Sequence, residues 1–195
     1  MMFEKRALEN EAFLKGETCY LRPVREEDAT PEYVSWLNDA ETTRFMESGF
    51  FPSTRKSVRD FIQSTNQRTD TLFLAIVLPE EHRHVGNVKL GPINWVHRNA
   101  EFGILVGAPE ARGRGIGTEA TKLILAHAFE RLNLHRVGLG VVADNDPAIR
   151  SYRKVGFEVE GTYRQAILRE GEFRDLCRMG ILASDFQRLH GSPWG

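Results

Sequence analysis

The sequence has few of the features that mark secreted, metal-binding or membrane-spanning proteins. Its two cysteines, Cys19 and Cys177, lie far apart and form no CxxC pair, which argues against a disulfide framework or a zinc ribbon. We expect both to be buried thiols. The six histidines show no metal-ligand spacing, so we predict no metal site. No segment approaches the roughly 20 apolar residues that span a bilayer, and residues 1–15 lack the apolar core of a signal peptide.

A strong charge of one sign is also missing. The formal net charge is −1, and hydrophobic and charged residues make up 41% and 27% of the chain, as in soluble globular proteins. Nothing in this balance indicates nucleic acid or a membrane as the main partner. We therefore predict a cytoplasmic protein, and the sequence leaves open whether it is a monomer or a homodimer.

The hydrophobic pattern predicts one α/β (α+β) domain, with a mixed, mostly antiparallel central sheet flanked by helices. We expect the domain at 18–183, an N-terminal arm at 1–17 and a C-terminal tail at 184–195. The helix after Thr54 should bury Val58, Phe61 and Ile62, and Gly91-Pro92 should interrupt the strand at 85–90. Other strands are predicted at 18–23, 71–78, 99–107, 136–142, 157–163 and 173–182, and other helices from 31, at 118–132 and at 146–154.

A glycine-rich run lies between a predicted strand and a predicted helix. Glycines at alternate positions let the backbone turn sharply and present its N–H groups ahead of the helix, where the helix dipole favours an anion. Two arginines add full charges, and the combination suits a diphosphate. The residues that we expect to bind it are Arg112, Gly113, Arg114, Gly115, Ile116, Gly117 and Thr118.

Two common nucleotide motifs fail on spacing. A Walker A loop needs a lysine after its last glycine, but Gly117 is followed by Thr118 and Glu119. A Rossmann fingerprint needs GxGxxG, whereas the spacing here is GxGxG. The pattern that fits is [Gln/Arg]-x-x-Gly-x-[Gly/Ala], with Arg112, Gly115 and Gly117 in the fixed places.

This pattern resembles the coenzyme A loop of the GNAT superfamily of N-acetyltransferases. A second segment of that family, Asn-x-x-Ala followed by Tyr and Gly-Phe, matches Asn145, Ala148, Tyr152 and 156–157 in the expected order. The opening residues 20–28 and 36–39 look like the subgroup of ribosomal-protein-alanine acetyltransferases. The resemblance covers about residues 18–183.

The resemblance implies direct acetyl transfer from acetyl-CoA to a primary amine, with no covalent intermediate and no metal. It places the pantetheine along Ile104, Leu105 and Val106, with an N–H near Leu105 facing the developing oxyanion. Tyr152 would be the general acid beside the sulfur, and Asn145 would bind the pantetheine or serve only as a helix N-cap.

The base and the acceptor stay open. Glu101 at the start of the central strand is the candidate base, with a water chain or His97 as alternatives.

The acceptor is a protein N-terminus, an amino sugar, a polyamine or another small amine; a polyamine would need an acidic cluster such as the one at 26–28. A non-catalytic CoA-binding module is the alternative function. We expect the acceptor site between residues 25–55 and 163–175. The candidate aromatic residues in these segments are Trp36, Phe45, Phe50, Phe51, Tyr163 and Phe173, and Trp95 is a further candidate outside them.

Overall fold

The computed structural model describes residues 11–46 and 48–191. Its eight strands form one sheet in the order β1-β2-β3-β4-β5-β6-β8-β7. Every neighbouring pair is antiparallel except β5 with β6, which is parallel. The predicted fold class is therefore confirmed. The strands are β1 (Leu14–Lys15), β2 (Tyr20–Pro23), β3 (Leu72–Leu78), β4 (Arg83–Asn94), β5 (Asn99–Val106), β6 (Arg136–Val142), β7 (Glu158–Arg169) and β8 (Glu172–Leu182).

Six α-helices cover the two faces of the sheet in the described part of the chain. They are α1 (Pro31–Asn38), α2 (Ala40–Thr43), α3 (Arg55–Asn66), α4 (Ile116–Glu130), α5 (Asp146–Val155) and α6 (Ala183–His190). Short 3-10 turns occupy Glu26–Asp28 and Pro109–Ala111.

The core lies between the sheet and these helices. The helix α4 supplies the fully buried Ile116, Ala120 and Ile124, because apolar residues recur on one of its faces. On the other face of the sheet, α3 buries Val58 and Ile62. Phe61 differs from the prediction: its side chain is 47% exposed and packs edge-on against Phe73, because it lies at the rim of α3 beside an open cleft.

The central parallel pair opens along its length. Residues 99–101 of β5 pair with residues 136–138 of β6, and beyond Glu101 the two strands diverge. Strand β5 stays paired with β4 as far as Val106, which faces Gly86. A slot therefore opens between β5 and β6 at the end that leads to the glycine-rich loop.

Two boundaries differ from the predicted ones. Strand β1 precedes the predicted range 18–183 and helix α6 begins at its last residue, Ala183, yet both elements pack against the core, because Leu14 and Phe186 are core side chains. Strand β4 runs through Gly91-Pro92 to Asn94, with a register shift between Leu90 and Ile93 in place of an interruption. Residues 1–10 of the predicted arm lie outside the described residues.

The thiols of Cys19 and Cys177 are free and buried, as predicted. Among the described residues, no helix is both long enough and apolar enough to cross a membrane.

Candidate active site

One cleft of about 1510 Å³ runs through the slot between β5 and β6 and opens on both faces of the sheet. At one end lie Gly113, Gly115 and Gly117 of the loop before α4. At the other lie side chains of α1, α3 and the β7–β8 hairpin. Since the opening follows directly from the divergence of β5 and β6, the fold itself creates a passage that joins the two faces.

The glycine-rich loop has the backbone that its sequence predicts. Gly113 and Gly115 have φ values of 71° and 83°, in the left-handed region that favours glycine. Nothing lies within 4 Å of the position that a Cβ would take at either residue. Gly115 is the N-cap of α4, and the first helical bond is from Glu119 N–H to Gly115 O, so the N–H groups of the first helical turn remain available. This arrangement fits a diphosphate.

The guanidinium of Arg112 has several partners within the protein. Its guanidinium donates through Nε to Val106 O at 3.0 Å and through Nη2 to Gly107 O at 3.0 Å, both at the end of β5. Nη2 also donates to Thr42 Oγ1 of α2 at 2.8 Å. Three of its donor contacts are therefore already made within the protein. The side chain joins the end of β5 to α2, and its guanidinium donates to two carbonyl oxygens and one hydroxyl.

The other predicted loop residues separate into two groups. Gly117 and Thr118 border the cleft, and Thr118 Oγ1 lies 2.9 Å from Ser151 Oγ of α5. Ile116 is buried in the core and Arg114 is exposed outside the cleft lining. At Ile116, therefore, only the backbone is placed to face a ligand in the loop, and the predicted contact of Arg114 with the diphosphate stays a prediction.

Tyr152 borders the middle of the cleft. Its ring packs edge-on against Phe102 of β5 at 6.2 Å and lies 5.8 Å from Phe157. Burial raises the pKa of the Tyr152 hydroxyl to about 12, so the phenol stays protonated at neutral pH. A protonated group beside the slot is what a general acid requires.

Asn145 also borders the cleft, and it caps a helix. Its Oδ1 accepts a hydrogen bond from Ala148 N–H at 3.3 Å at the start of α5. Gly156, with φ of 112°, ends the same helix. The two ends of the second family segment thus fix the helix that carries Tyr152.

The side chains of β5 point alternately to the two sides of the cleft. A Cβ on Gly117 would lie 3.3 Å from Val106 Cγ2 and 3.7 Å from Ile104 Cδ1, so these two side chains face α4. Leu105, Gly103 and Glu101 therefore face the opposite side. Ile104, Leu105 and Val106 all line the cleft, and their contact with the pantetheine stays a prediction.

The backbone of β5 alternates in the same way. Gly107 N–H donates to Val85 O of β4, whereas Val106 O accepts from Arg112 on the side away from β4. In an antiparallel ladder the N–H and C=O of one residue point to the same side. Leu105 therefore bonds toward β4, and its neighbours Ile104 and Val106 direct their N–H groups toward the slot.

Glu101 lies on the side opposite α4 and borders the cleft, but it is ion-paired. Its Oε1 accepts from Arg178 Nη2 of β8 at 2.6 Å, and the room for this pair comes from Gly138, whose Cβ would lie 3.3 Å from the same oxygen. The hydrogen bond to Glu101 raises the pKa of Arg178 above its usual range. His97, the other candidate base, is outside the cleft lining.

The acceptor side has several residues that the sequence did not reveal. Of the seven candidate aromatic residues only Phe45 borders the cleft; Trp36 is a core side chain, and Phe50, Phe51, Trp95, Tyr163 and Phe173 are exposed elsewhere. The polar alternation of β4 could have indicated two of the missed residues, since Asn87 and Lys89 alternate with the buried Val88 and Leu90. The missed lining residues of this side are Tyr33, Leu37, Glu41, Arg44, Phe61, Phe73, Asn87, Lys89, Ile167, Arg169 and Arg178.

The tip of the hairpin touches the loop after α2. Arg169 Nη2 donates to Met46 O, and its guanidinium lies 4.5 Å from the centroid of the Phe50 ring. Arg169 and Met46 both border the acceptor side of the cleft, so the contact joins the two segments there. The segments 25–55 and 163–175 therefore do meet there, as predicted.

Comparison with known proteins decides the family. The profile of the acetyltransferase (GNAT) domain matches residues 19–158, which is more than half of the chain. The chain belongs to the GNAT acetyltransferase family. With the cleft described above, it is an acetyl-CoA-dependent N-acetyltransferase, and the catalytic function is supported over a non-catalytic CoA-binding module.

Curated relatives of this acetyltransferase include two spermidine N(1)-acetyltransferases. The one from Escherichia coli K12 is 33% identical over 174 residues, which cover 89% of this chain and 90% of the relative. The one from Vibrio cholerae is 37% identical over 102 residues, covering 52% of this chain and 58% of the relative. The resemblance to ribosomal-protein-alanine acetyltransferases finds no support among these relatives.

A solved structure supports the fold and the donor. The spermidine N-acetyltransferase from Vibrio cholerae, in complex with CoA and spermine, superposes with a TM-score of 0.80 at 25% identity, covering 88% of this chain and 99% of the other. Acetyl-CoA is therefore the cosubstrate of the acetyltransferase. Among the described residues there is no group of three or more His, Cys, Asp or Glu side chains that could hold a metal ion.

Proposed function

We propose that this chain transfers the acetyl group of acetyl-CoA directly to the primary amine of a small molecule. The observation that carries the proposal is the continuity of the cleft. It passes from Gly115 at the loop, past Tyr152 in the slot, to the side chains around Lys89 on the opposite face. Donor and acceptor can therefore approach the same point from opposite faces of the sheet, which is the geometry of direct transfer.

The residues on the α4 side would hold the donor. The backbone N–H groups around Gly115 and Gly117 would bind the diphosphate at the positive end of α4. Lys154 and Arg150 of α5 also border the cleft and would receive further phosphate charge. The exposed edge of β5 at Ile104 and Val106 would pair with the pantetheine amides. Asn145 would act through α5, whose start it caps.

Two groups in the slot would act on the reaction itself. An N–H of Ile104 or Val106 would stabilise the oxyanion that develops on the thioester carbonyl. Tyr152 would give its proton to the departing thiolate as the carbon–sulfur bond breaks and the carbon–nitrogen bond forms. Its apolar surroundings, Phe102 and Phe157, keep the phenol neutral until that moment.

The proton of the attacking amine has two routes. Glu101 lies on the acceptor side of β5, but its Oε1 is held by Arg178, so it would take a proton only through its other oxygen or through water. A chain of water molecules in the open cleft is the second route. A Glu101→Gln variant separates them: a direct base gives a loss of about a hundredfold in kcat, and a water chain leaves kcat within a few fold.

The experiment that tests the function is release of free CoA thiol from acetyl-CoA across a panel of amines. The panel begins with spermidine, the substrate in the names of the relatives, and includes amino sugars, amino acids and short peptides. Acetylated product identified by mass, lost in the Tyr152→Phe variant, supports the proposal. Binding of CoA without turnover of any amine contradicts it.

A further inference from the structure

The acceptor side of the cleft is unusually rich in cations. Among the residues that the structure describes, the acidic side chains that border it are Glu41 and Glu101, and Glu101 is already paired with Arg178. The acidic cluster at Glu26–Asp28, which a polyamine site could have used, is outside the cleft lining. The positively charged side chains that border this side are Arg44, Lys89, Arg169 and Arg178.

Most of these cations have partners within the protein. Arg178 is held by Glu101, Arg169 by the carbonyl of Met46, and the guanidinium of Arg44 lies 5.3 Å from the centroid of the Phe45 ring. Lys89 is different. Its side chain is half-buried, and among the residues that the structure describes no carboxylate or other acceptor lies within bonding distance of its ammonium. A half-buried cation without a counter-charge is costly unless a ligand supplies one.

Lys89 is placed where it would meet an acceptor. In the β4–β5 ladder it stands directly opposite Gly103 of β5, so both residues are on the side that faces away from α4. A Cβ at Gly103 would have nothing within 4 Å, so the floor of the cleft beside Lys89 is open. Gly103 lies between Leu105 and Glu101 on the same side of β5, and all three residues border the cleft.

A second group on the same strand also lacks a partner. Asn87, two residues before Lys89 and therefore on the same side, is only 4% exposed and borders the cleft. Its Oδ1 lies 3.0 Å from His84 Nε2, which leaves its buried Nδ2 donor without an acceptor among the described residues. Asn87 and Lys89 are thus two neighbouring donors on one side of β4 for which the described residues supply no acceptor.

We propose that Lys89 is a specificity-determining residue that selects an acceptor carrying an anionic oxygen group, a carboxylate or a phosphate, in addition to its amine. This inference rests on the proposed function and names the substrate class of the same site. Lys89 binds the anionic group beside Gly103, and this contact directs the amine toward the slot. A fully cationic amine meets repulsion from the same side chain.

The test uses two matched pairs of amines and spermidine, with acetyl-CoA at saturation. Beta-alanine is compared with beta-alaninamide for the carboxylate, and glucosamine 6-phosphate with glucosamine for the phosphate. We expect the anionic member of at least one pair to have a kcat/KM at least tenfold above its neutral partner and above spermidine. The pair that shows the preference identifies which anion is bound.

Variants then assign the preference to Lys89. Lys89→Gln should reduce it to within about twofold, and Lys89→Glu should reverse it in favour of spermidine, while CoA affinity by calorimetry stays unchanged. Lys154→Gln is the matched control, because this lysine borders the CoA end of the cleft. It should alter the KM for acetyl-CoA and leave the acceptor preference intact.

The outcomes separate the two proposals. If spermidine is the best substrate and Lys89→Gln does not change the ranking of the amines, the role of Lys89 is overturned while the proposed function stands. An equal loss for all amines in Lys89→Gln, with unchanged thermal stability, also overturns it. If no amine is acetylated, the proposed function fails and the inference fails with it.

Discussion

The two ends of the cleft are built in opposite ways. The CoA end comes from two short continuous segments, the loop around Gly115 and the helix from Asn145 to Gly156, and the ligands that we propose there are mainly backbone N–H groups. The acceptor end is assembled from side chains of α1, α2, α3, β4 and the β7–β8 hairpin. In the proposed function, the first end holds the donor and the second end faces the acceptor amine.

This difference has a consequence for substitution. Backbone recognition fails only when a residue changes the path of the chain, so a few glycines carry it. Side-chain recognition is altered by single charge changes, as at Lys89, without disturbing the fold. We therefore expect the largest losses of function at the CoA end and changes of preference at the acceptor end.

The largest effect is expected for Gly115→Val. Gly115 caps α4 with φ of 83°, a conformation that β-branched residues avoid, so the substitution displaces the N–H groups ahead of the helix. We expect CoA binding to weaken by more than a hundredfold in calorimetry. Gly171→Val is the matched control, because Gly171 has φ of 80° in the hairpin turn, with nothing within 4 Å of its Cβ position. It should lose similar stability and keep its CoA affinity; unchanged CoA affinity in Gly115→Val would contradict the assigned loop.

The next effect concerns the slot between the two ends. Tyr152→Phe removes the proposed proton donor while keeping the ring against Phe102. We expect kcat to fall by about a hundredfold, within the range of general acid catalysis, with CoA affinity within a few fold. Steady-state kinetics and calorimetry give the two values. Tyr163→Phe, at a 59% exposed position on β7, should leave both unchanged. A kcat within twofold of the parent in Tyr152→Phe would remove the acid role.

Arg112 provides a smaller effect that connects the two ends. Because its guanidinium holds Val106 O, Gly107 O and Thr42 Oγ1, Arg112→Met should loosen the end of β5 and the adjoining loop. We expect a KM for acetyl-CoA about tenfold higher, with a salt dependence of CoA binding like that of the parent. Thr42→Val should show a weaker change in the same direction. A clearly reduced salt dependence in Arg112→Met would instead indicate direct phosphate contact.

The smallest effect is one of stability alone. Glu119 of α4 accepts hydrogen bonds from Glu17 N–H at 2.7 Å, Thr18 N–H at 2.9 Å, Cys19 N–H at 3.0 Å and the Thr18 hydroxyl. Burial alone would raise the pKa of Glu119, but these hydrogen bonds outweigh it and hold the pKa below its usual range. The carboxylate thus joins the β1–β2 hairpin to the first turn of α4.

Since the pKa of Glu119 is lower in the folded state, its contribution is complete above the unfolded carboxyl value of about 4.3 and is lost as the pH falls through the folded value. Glu119→Gln should therefore lower the free energy of unfolding by about 1–2 kcal/mol at pH 7 and by less near pH 3. Urea unfolding at the two pH values measures this. A difference that grows toward low pH would contradict the assignment.

Local patterns gave the elements but not their contacts. The helix at α5 was predicted within one residue and β6 with its observed bounds, because proline, glycine and hydrophobic periodicity are local signals. The motif predicts that Arg112 binds the diphosphate, but its place in the sequence does not show that its guanidinium also bonds to Val106 O and Gly107 O. The sequence predicts the oxyanion donor only as an N–H near Leu105. The pairing of β5 with β4 shows that the N–H groups directed toward the slot are those of Ile104 and Val106.

By itself, the sequence determined the fold class, the donor and the helix that carries Tyr152, because each is encoded within a short segment whose backbone behaviour is dictated by its own residues. Only the tertiary structure decided what surrounds the acceptor. Lys89 and Glu101 owe their surroundings to strands remote in the chain. Lys89 lies opposite Gly103 with no counter-charge among the described residues, and Glu101 is held by Arg178. The electrostatics of a site depend on distances between side chains, and long-range packing sets those distances.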